Sequence, residues 1–382
     1  MPTPSFKTIT YREQQFHLPA NALGGERNAP KLKPADELLL DWAYDTAGTS
    51  ELEAIGIYHD RAGVLCTCVR AQTKRFVTNS SRHYTALESS YGKNGLAPVP
   101  ELVSPLEVMP SGIKINILQV PKSLELFELY LHHLAATAGP ETQVACVFQT
   151  RYFTPKLLEI AGKYAMEVTQ SRAYKKARLL LLSDFIPAAS TAVPVSEVSY
   201  GGVTYQQYPG VFSANHIDYA TQFMLDEWAT NARLAEIDVP LEILDVGCGN
   251  GIIGDHLLGR YPEARLTATD ISQVAVDSAR LNLSNHGYED RARVVIAASI
   301  SEIKEPKRFD LIVTNPPFHD EYQTDISVSL DLFLQATERL SASGYLVVVA
   351  NRHLNYLTHL RRYFDEVTTV AENEKFIVYR SR

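Results

Sequence analysis

Three stretches of the C-terminal half place chemistry-bearing residues at meaningful spacings. In ILDVGCGNG, an apolar run ends at Asp245 and passes straight into Gly247, Gly249, Asn250 and Gly251. Glycines there permit positive φ and close approach of a ligand to the backbone. A helix follows, and its N-terminus favours a carboxylate or a phosphate. The G-x-G-x-G spacing, with an acid two residues ahead, differs from the G-x-G-x-x-G of dinucleotide sites. Taken alone, the run is equally well a tight strand-to-helix turn. Asp270 closes the next apolar run, with Ile271 beside it. An acid at that distance suits ribose hydroxyls, and it equally suits the cap of a helix over Ser272–His286.

The third stretch, Asn315-Pro316-Pro317-Phe318, decides between these readings. It follows the apolar run Phe309–Thr314, at the strand end where open α/β sheets bind ligands. Two prolines donate no hydrogen bonds and stiffen the backbone. Their carbonyls and the Asn315 side-chain oxygen form a pocket of acceptors. An exocyclic NH2 offers the donors such a pocket takes, with its lone pair left for a methyl donor. Phe318 can stack on a planar base or amide. These four residues are the candidate catalytic set.

The elements that position them follow from the wider sequence. The chain has 382 residues, 45% hydrophobic, enough for two domains with their own cores. With 21% charged residues it fits neither a disordered nor a fibrous class. No run of about 18 apolar residues suggests a membrane span, and Met1–Lys33 lacks the pattern of a signal peptide. The four cysteines, Cys66, Cys68, Cys146 and Cys248, have no zinc or disulfide spacing. They are expected to be buried thiols in a reducing cytoplasm, with no metal site. The net charge is −8, unevenly spread. Residues 1–200 hold 20 Lys+Arg against 19 Asp+Glu, and residues 201–382 hold 16 against 25. If RNA binds, the N-terminal half is the expected platform. Its candidates are the clusters Arg70, Lys74, Arg75 and Lys175, Lys176, Arg178, with Arg352 as a further contact in the C-terminal half. Such clusters can equally do no more than solvate a surface.

The Pro-, Ala- and Ser-rich stretch 186–203 is expected to link a domain over 1–185 to one over 204–382. Downstream, strands are expected at Leu241–Val246, Leu266–Thr269, Val294–Ala297, Phe309–Thr314 and Tyr345–Ala350. Helices are expected at Ile252–Tyr261, Ser272–His286, Leu330–Ser341 and Leu354–Phe364. A hairpin turning at Glu372–Glu374 closes the series. Alternating strands and helices predict a doubly wound, mostly parallel sheet with one antiparallel strand at its end.

An internal repeat extends that fold to the first half. Val144–Thr169 pairs with Tyr345–Thr368, aligning Arg151 with Arg352. The run from Leu124 pairs with the run from Leu330, and Ile115 onward pairs with Asp310 onward. The order is the same in both halves, which implies two copies of one fold. The chemistry has not been copied. IYHDRAG (Ile57–Gly63) stands where DVGCGNG stands, and Val120-Pro121-Lys122-Ser123 stands for Asn315–Phe318. The first copy is expected to be degenerate and inactive.

With these motifs in place, the C-terminal half resembles class I methyltransferases with an N-P-P-[FY] signature. The whole chain resembles bacterial ribosomal RNA guanine-N2 methyltransferases that carry a degenerate N-terminal copy, and most of all the large-subunit (23S) enzymes. The resemblance rests on ADELLL (Ala35–Leu40), QVPKSLEL (Gln119–Leu126), YKKARLL (Tyr174–Leu180), PGVFSANHID (Pro209–Asp218), DVGCGNGIIG, NPPFHD and VANRHLNY (Val349–Tyr356). It implies two tandem Rossmann-like methyltransferase domains, S-adenosylmethionine as cofactor, ribosomal RNA as partner, and a cytoplasmic monomer. Asp245, Gly247 and Gly251 would then hold the methionyl part and Asp270 the ribose, with Gly249, Asn250 and Ile271 also in the cofactor site. One departure concerns the adenine. Many relatives place Asp or Asn after the third strand, where this chain has Ala297 and Ala298. A backbone group there, or Ser299, is expected to take over. Methylation of 16S RNA, of adenine N6, of a glutamine side chain, or silent cofactor binding by an assembly factor are the alternatives.

Overall fold

The computed structural model describes residues 5–26, 29–108, 110–187, 190–231, 234, 241–316 and 326–382. The chain divides after Val193 into two units. The first begins with short antiparallel pairs, β1 (Phe6–Tyr11) with β2 (Gln14–Pro19) and β3 (Gly24–Glu26) with β4 (Ala29–Lys31). Its main sheet holds β5 (Leu52–Tyr58), β6 (Ala71–Val77), β7 (Leu102–Val103), β8 (Ile115–Gln119), β9 (Gln143–Gln149), β10 (Ala165–Gln170) and β11 (Ala177–Phe185). Their spatial order is β10-β11-β9-β8-β5-β6-β7.

The second unit opens with a hairpin of β12 (Ser196–Tyr200) and β13 (Val203–Gln207). Its main sheet holds β14 (Glu242–Val246), β15 (Arg265–Asp270), β16 (Ala292–Ile296), β17 (Phe309–Thr314), β18 (Leu340–Asn351), β19 (Val367–Glu372) and β20 (Phe376–Ser381). The order is β16-β15-β14-β17-β18-β20-β19, the same connectivity as the first sheet. In each sheet the last strand, β11 or β20, runs antiparallel to both neighbours. The internal repeat therefore corresponds to two copies of one doubly wound fold.

Burial on both faces makes the central strands continuously apolar. On β14, Ile243 packs into one core layer and Leu244 into the other, joined by Leu311 and Ile312 of β17 on the same two sides. The chain winds outward from β14 through β15 and β16, then returns to β17 on the other side. That reversal opens a crevice at the carboxyl ends of β14 and β17, the usual ligand position in such sheets. Val246 pairs with Thr314 there, so the glycine loop and Asn315 leave the sheet side by side.

Three expectations need correction. The stretch 186–203 is not a plain link, because β12 lies within it and Val198 is buried in the second unit's core. Gly201 and Gly202, at φ +59° and +81°, make the two-residue turn that permits the hairpin. The helix Ser327–Arg339 ends before Leu340, where β18 already begins. The helix expected over Leu354–Phe364 is a 3-10 turn, Arg352–Leu354, and a short helix, Tyr356–Leu360, broken by left-handed Asn355. All four cysteines are buried free thiols. Among the described residues no helix is long and apolar enough to cross a membrane.

Candidate active site

The glycine loop is a left-handed turn. Gly247, Gly249 and Gly251 have φ of +76°, +54° and +86°, values that a side chain would strain. A Cβ on Gly247 or Gly249 would meet nothing within 4 Å, whereas one on Gly251 would press Ala279 at 3.1 Å. The first two glycines thus leave a backbone-lined surface open, and the third lets the helix Ile252–Arg260 pack closely. Asn250 is buried and donates to Gln207 Oε1 (3.1 Å). Gln207 in turn donates to the carbonyls of Ser213 and Ala214. Asn282 ties Gln206 to the Asn250 carbonyl. This amide network, absent from the sequence reading, joins hairpin β12–β13 to the loop.

Two acids sit under that surface. Asp245 is fully buried; one carboxylate oxygen accepts from Gly254 N at 3.2 Å, and the other has no partner among the described residues. Burial, with Asp270 nearby, pushes its carboxyl up to about 7. Asp270 accepts from Gly249 N (3.1 Å) and Ser272 N (2.9 Å). Burial raises its carboxyl too, and the backbone N–H bonds partly offset that. Ile271 lies partly exposed beside it. The helix cap is Ser272, which accepts from Ala275 N, so Asp270 braces the glycine loop and the cap together. A buried and a half-buried carboxylate side by side, when ionised, repel a pyrophosphate and suit a cation. S-adenosylmethionine carries a sulfonium and an ammonium, so the unpartnered Asp245 oxygen and the open glycine surface fit it.

Asn315 lies across the crevice. Its amide nitrogen donates to Asp218 Oδ2 (2.9 Å) and to Thr221 Oγ1 (3.0 Å). Its Oδ1 is buried with no partner among the described residues. Pro316 is buried beside it. Pro317 and Phe318 lie outside the described residues. Asp218 caps the helix Tyr219–Thr230 by accepting from Ala220 N and Thr221 N. Neither Asp218 nor Thr221 was singled out in sequence as a site residue. The Asp-x-x-Thr start of a helix was the available signal, but the contact spans about a hundred residues.

The loop after β16 is already engaged. The Ala298 N–H donates to Glu302 Oε2 (3.0 Å), and the Ser299 hydroxyl bonds Ser301 and Glu302.

The first copy has filled its site. His59, at φ +59°, keeps the left-handed turn of Gly247. Arg61, in place of Gly249, donates through Nη2 to the Val120 carbonyl (2.7 Å), across the counterpart of the crevice. The acid has moved to Asp60, whose two oxygens are both taken, by Val64 N and Cys66 N. Register places Thr78 where Asp270 stands, since Ile57 pairs with Phe76 as Asp245 pairs with Ala268. Thr78 Oγ1 is bonded to His83 instead. No open acceptor like the Asp245 oxygen remains on Asp60.

The basic candidates separate. Lys74 and Arg75 face opposite sides of β6. Lys74 bonds the Cys66 carbonyl and Tyr91 OH, and burial lowers its ammonium. Those bonds turn its ammonium into the unit rather than toward solvent. Arg75 lies 3.9 Å from Glu101, and Arg70 bonds Gln14. Arg178 bonds Gln170 across the sheet, and Arg352 braces the β19–β20 turn through Glu372 and the Asn373 carbonyl. Lys175 also has a partner, since its Nζ donates to Tyr174 OH at 2.6 Å, but it and Lys176 stand apart in position. They are exposed at the tip of the β10–β11 hairpin, closed by paired bonds between Tyr174 and Ala177. Both have positive φ, +45° and +70°. Turns of this kind favour Asn and Gly, so two lysines there carry backbone strain.

This fold, with its glycine loop and paired acids, defines an S-adenosylmethionine-dependent methyltransferase. Residues 202–380 match the Methyltransferase small domain, and residues 26–187 match the RLMG N-terminal domain. Ribosomal RNA large subunit methyltransferase G of Klebsiella pneumoniae is 31% identical over 355 residues, 91% of this chain and 90% of that protein. The protein of the same description from Psychromonas ingrahamii is 30% identical, covering 91% of each. The chain belongs to the ribosomal RNA large subunit methyltransferase G family. A 16S rRNA N2 methyltransferase of T. thermophilus, solved with AdoMet and guanosine, shares the fold over 99% of this chain and 97% of its own, with TM-score 0.76 and 20% identity.

Calorimetry on the full-length protein is expected to count one S-adenosylmethionine per chain, because Arg61 and His59 occupy the first copy's cradle. A stoichiometry of two would contradict that reading.

Proposed function

We propose that the C-terminal unit methylates the exocyclic N2 of a guanine in large-subunit ribosomal RNA. The observation that carries this is the buried Asn315 oxygen, an acceptor without a partner among the described residues, beside a proline that cannot donate. Bound S-adenosylmethionine supplies a methyl on a leaving sulfonium. Gly247, Gly249 and Gly251 would line its methionyl part, Asp245 would accept from its ammonium, and Asp270 would face the ribose. Asn315 Oδ1 and the Pro316 carbonyl would accept the two N–H bonds of the amine and leave its lone pair free. The base must leave its stack to reach them. Transfer would break the methyl C–S bond as the N–C bond forms, leaving a neutral thioether, and the amine nitrogen, made cationic, would give its proton to water. No side chain with a tuned pKa is required, and positioning supplies most of the acceleration. The reading includes a monomer acting in the cytoplasm.

Relatives described as large-subunit ribosomal RNA methyltransferases support the large subunit as substrate. Labelled methyl offered to separated 23S and 16S RNA is expected to enter the 23S fraction. Entry into 16S alone would reverse the assignment.

The N-terminal unit would supply affinity for RNA, through Lys175 and Lys176 above all. Arg172 is exposed nearby in sequence. Contacts to phosphate release counterions, so binding weakens steeply with salt. Lys175→Glu with Lys176→Glu is expected to weaken RNA binding and flatten its dependence on salt, with cofactor affinity unchanged. Filter binding across several salt concentrations checks this; an unchanged slope would move the platform elsewhere.

A further inference from the structure

We infer that Asp218, assisted by Thr221, sets the direction of the Asn315 amide and so presents an acceptor rather than a donor to the substrate amine. The inference rests on Asn315 being that acceptor. An asparagine amide has nearly the same shape in either orientation, and only its hydrogen-bond partners decide which atom faces where. A carboxylate accepts and cannot donate. With Asp218 Oδ2 at 2.9 Å, the NH2 must face it. Thr221 Oγ1 takes the other amide hydrogen at 3.0 Å. The oxygen is then driven to the opposite side, where it stands buried and unpartnered among the described residues.

The reverse orientation would set Asn315 Oδ1 against the carboxylate and turn two N–H donors toward the substrate. An incoming NH2 would meet donors and be rejected. The Thr221 hydroxyl can donate as well as accept, so it tolerates either orientation, and Asp218 discriminates between them. Asp218 is itself immobilised, since the same Oδ2 accepts from Ala220 N (2.9 Å) and Thr221 N (3.2 Å). The first turn of the helix therefore holds the atom that holds the amide. Gln222 Nε2 donates to the Ile217 carbonyl (2.7 Å) and steadies the chain entering that turn. Asp218 acts through Asn315 and is a positioning residue.

The test is a set of variants in the full-length protein, read by single-turnover methyl transfer to RNA and by cofactor calorimetry. Asp218→Ala is expected to lower the rate about tenfold or more with cofactor Kd unchanged. Asp218→Asn is expected to recover most of it, because one carbonyl oxygen, held by the helix N–H groups, can accept all three bonds that Oδ2 accepts. Thr221→Val is expected to cost less than Asp218→Ala. On an Asn315→Ala background, Asp218→Ala is expected to add nothing. Losses that add in full would reduce Asp218 to a helix cap and overturn the inference. An Asp218→Asn protein as slow as Asp218→Ala would overturn it too, by pointing to the charge itself. Should Asp218→Ala fail to fold, Asp218→Asn and Thr221→Val give the same decision. Full activity in Asp218→Ala, with Asn315→Ala inactive, sinks this inference alone. Full activity in Asn315→Ala sinks the reading beneath it.

Discussion

Asn315→Ala is expected to lower the rate of methyl transfer to RNA about a hundredfold, with cofactor affinity unchanged. In the proposed reaction the side chain would place one acceptor on the reacting nitrogen, and its hydrogen bonds among the described residues go to Asp218 and Thr221 rather than to the residues proposed to cradle the cofactor. Its buried oxygen has no partner among the described residues. Losing an aligned acceptor removes about 3 kcal/mol of transition-state stabilisation. The loss should fall on kcat, because the acceptor's main work is to aim a lone pair that must be in line when the bond forms. Single-turnover rates and cofactor calorimetry on the same preparation separate the two quantities. A variant that keeps a near-native rate would remove Asn315 from the chemistry.

The second large effect is expected at Asp245. Asp245→Asn should weaken S-adenosylmethionine binding by about ten- to a hundredfold, the range of a charge-assisted hydrogen bond. Asparagine can still accept from Gly254 N, but it then turns an NH2 toward the cofactor's ammonium. The wild-type protein should also show a pH signature. Burial raises the Asp245 carboxyl from 3.8 to about 7, so without cofactor the folded chain holds this proton where the unfolded chain has lost it. Stability from this group is therefore full below 3.8 and lost as pH rises toward 7. A cationic cofactor favours the ionised form, so its affinity should rise with pH across the same window, with proton release on binding. Calorimetry in buffers of different ionisation enthalpy measures that release. Equal affinity and no proton release across pH 5–8 would take Asp245 out of the cofactor site.

Periodicity and repeat matching carry most of the fold. The strands β14, β15 and β17 lie within a residue or two of their expected ends, since buried parallel strands are continuous apolar runs that end sharply in turn residues. The first copy was legible only through the second, because its glycine loop has become IYHDRAG. The hairpin β12–β13 lies in a stretch whose Pro-, Ala- and Ser-rich composition masks its pattern; SYGGVTY holds two glycines between alternating apolar residues, a hairpin signal. The reading of Lys74 as a surface charge overlooked the alternation of a strand, which sends it into a layer of buried thiols and Tyr91. Asn315 and Asp245 could be marked as candidates because the motifs that single them out are contiguous in sequence. Asp218, Gln207 and Glu302 were not marked, since what makes each of them matter is the partner that folding brings to it.

The central claim is that the C-terminal unit methylates a guanine amine in RNA. The most direct measurement is transfer of labelled methyl from S-adenosylmethionine to ribosomal RNA, followed by digestion to nucleosides and identification of the labelled one. The label is expected in N2-methylguanosine. Label in N6-methyladenosine, label in protein, or no transfer under conditions where the cofactor binds would contradict it.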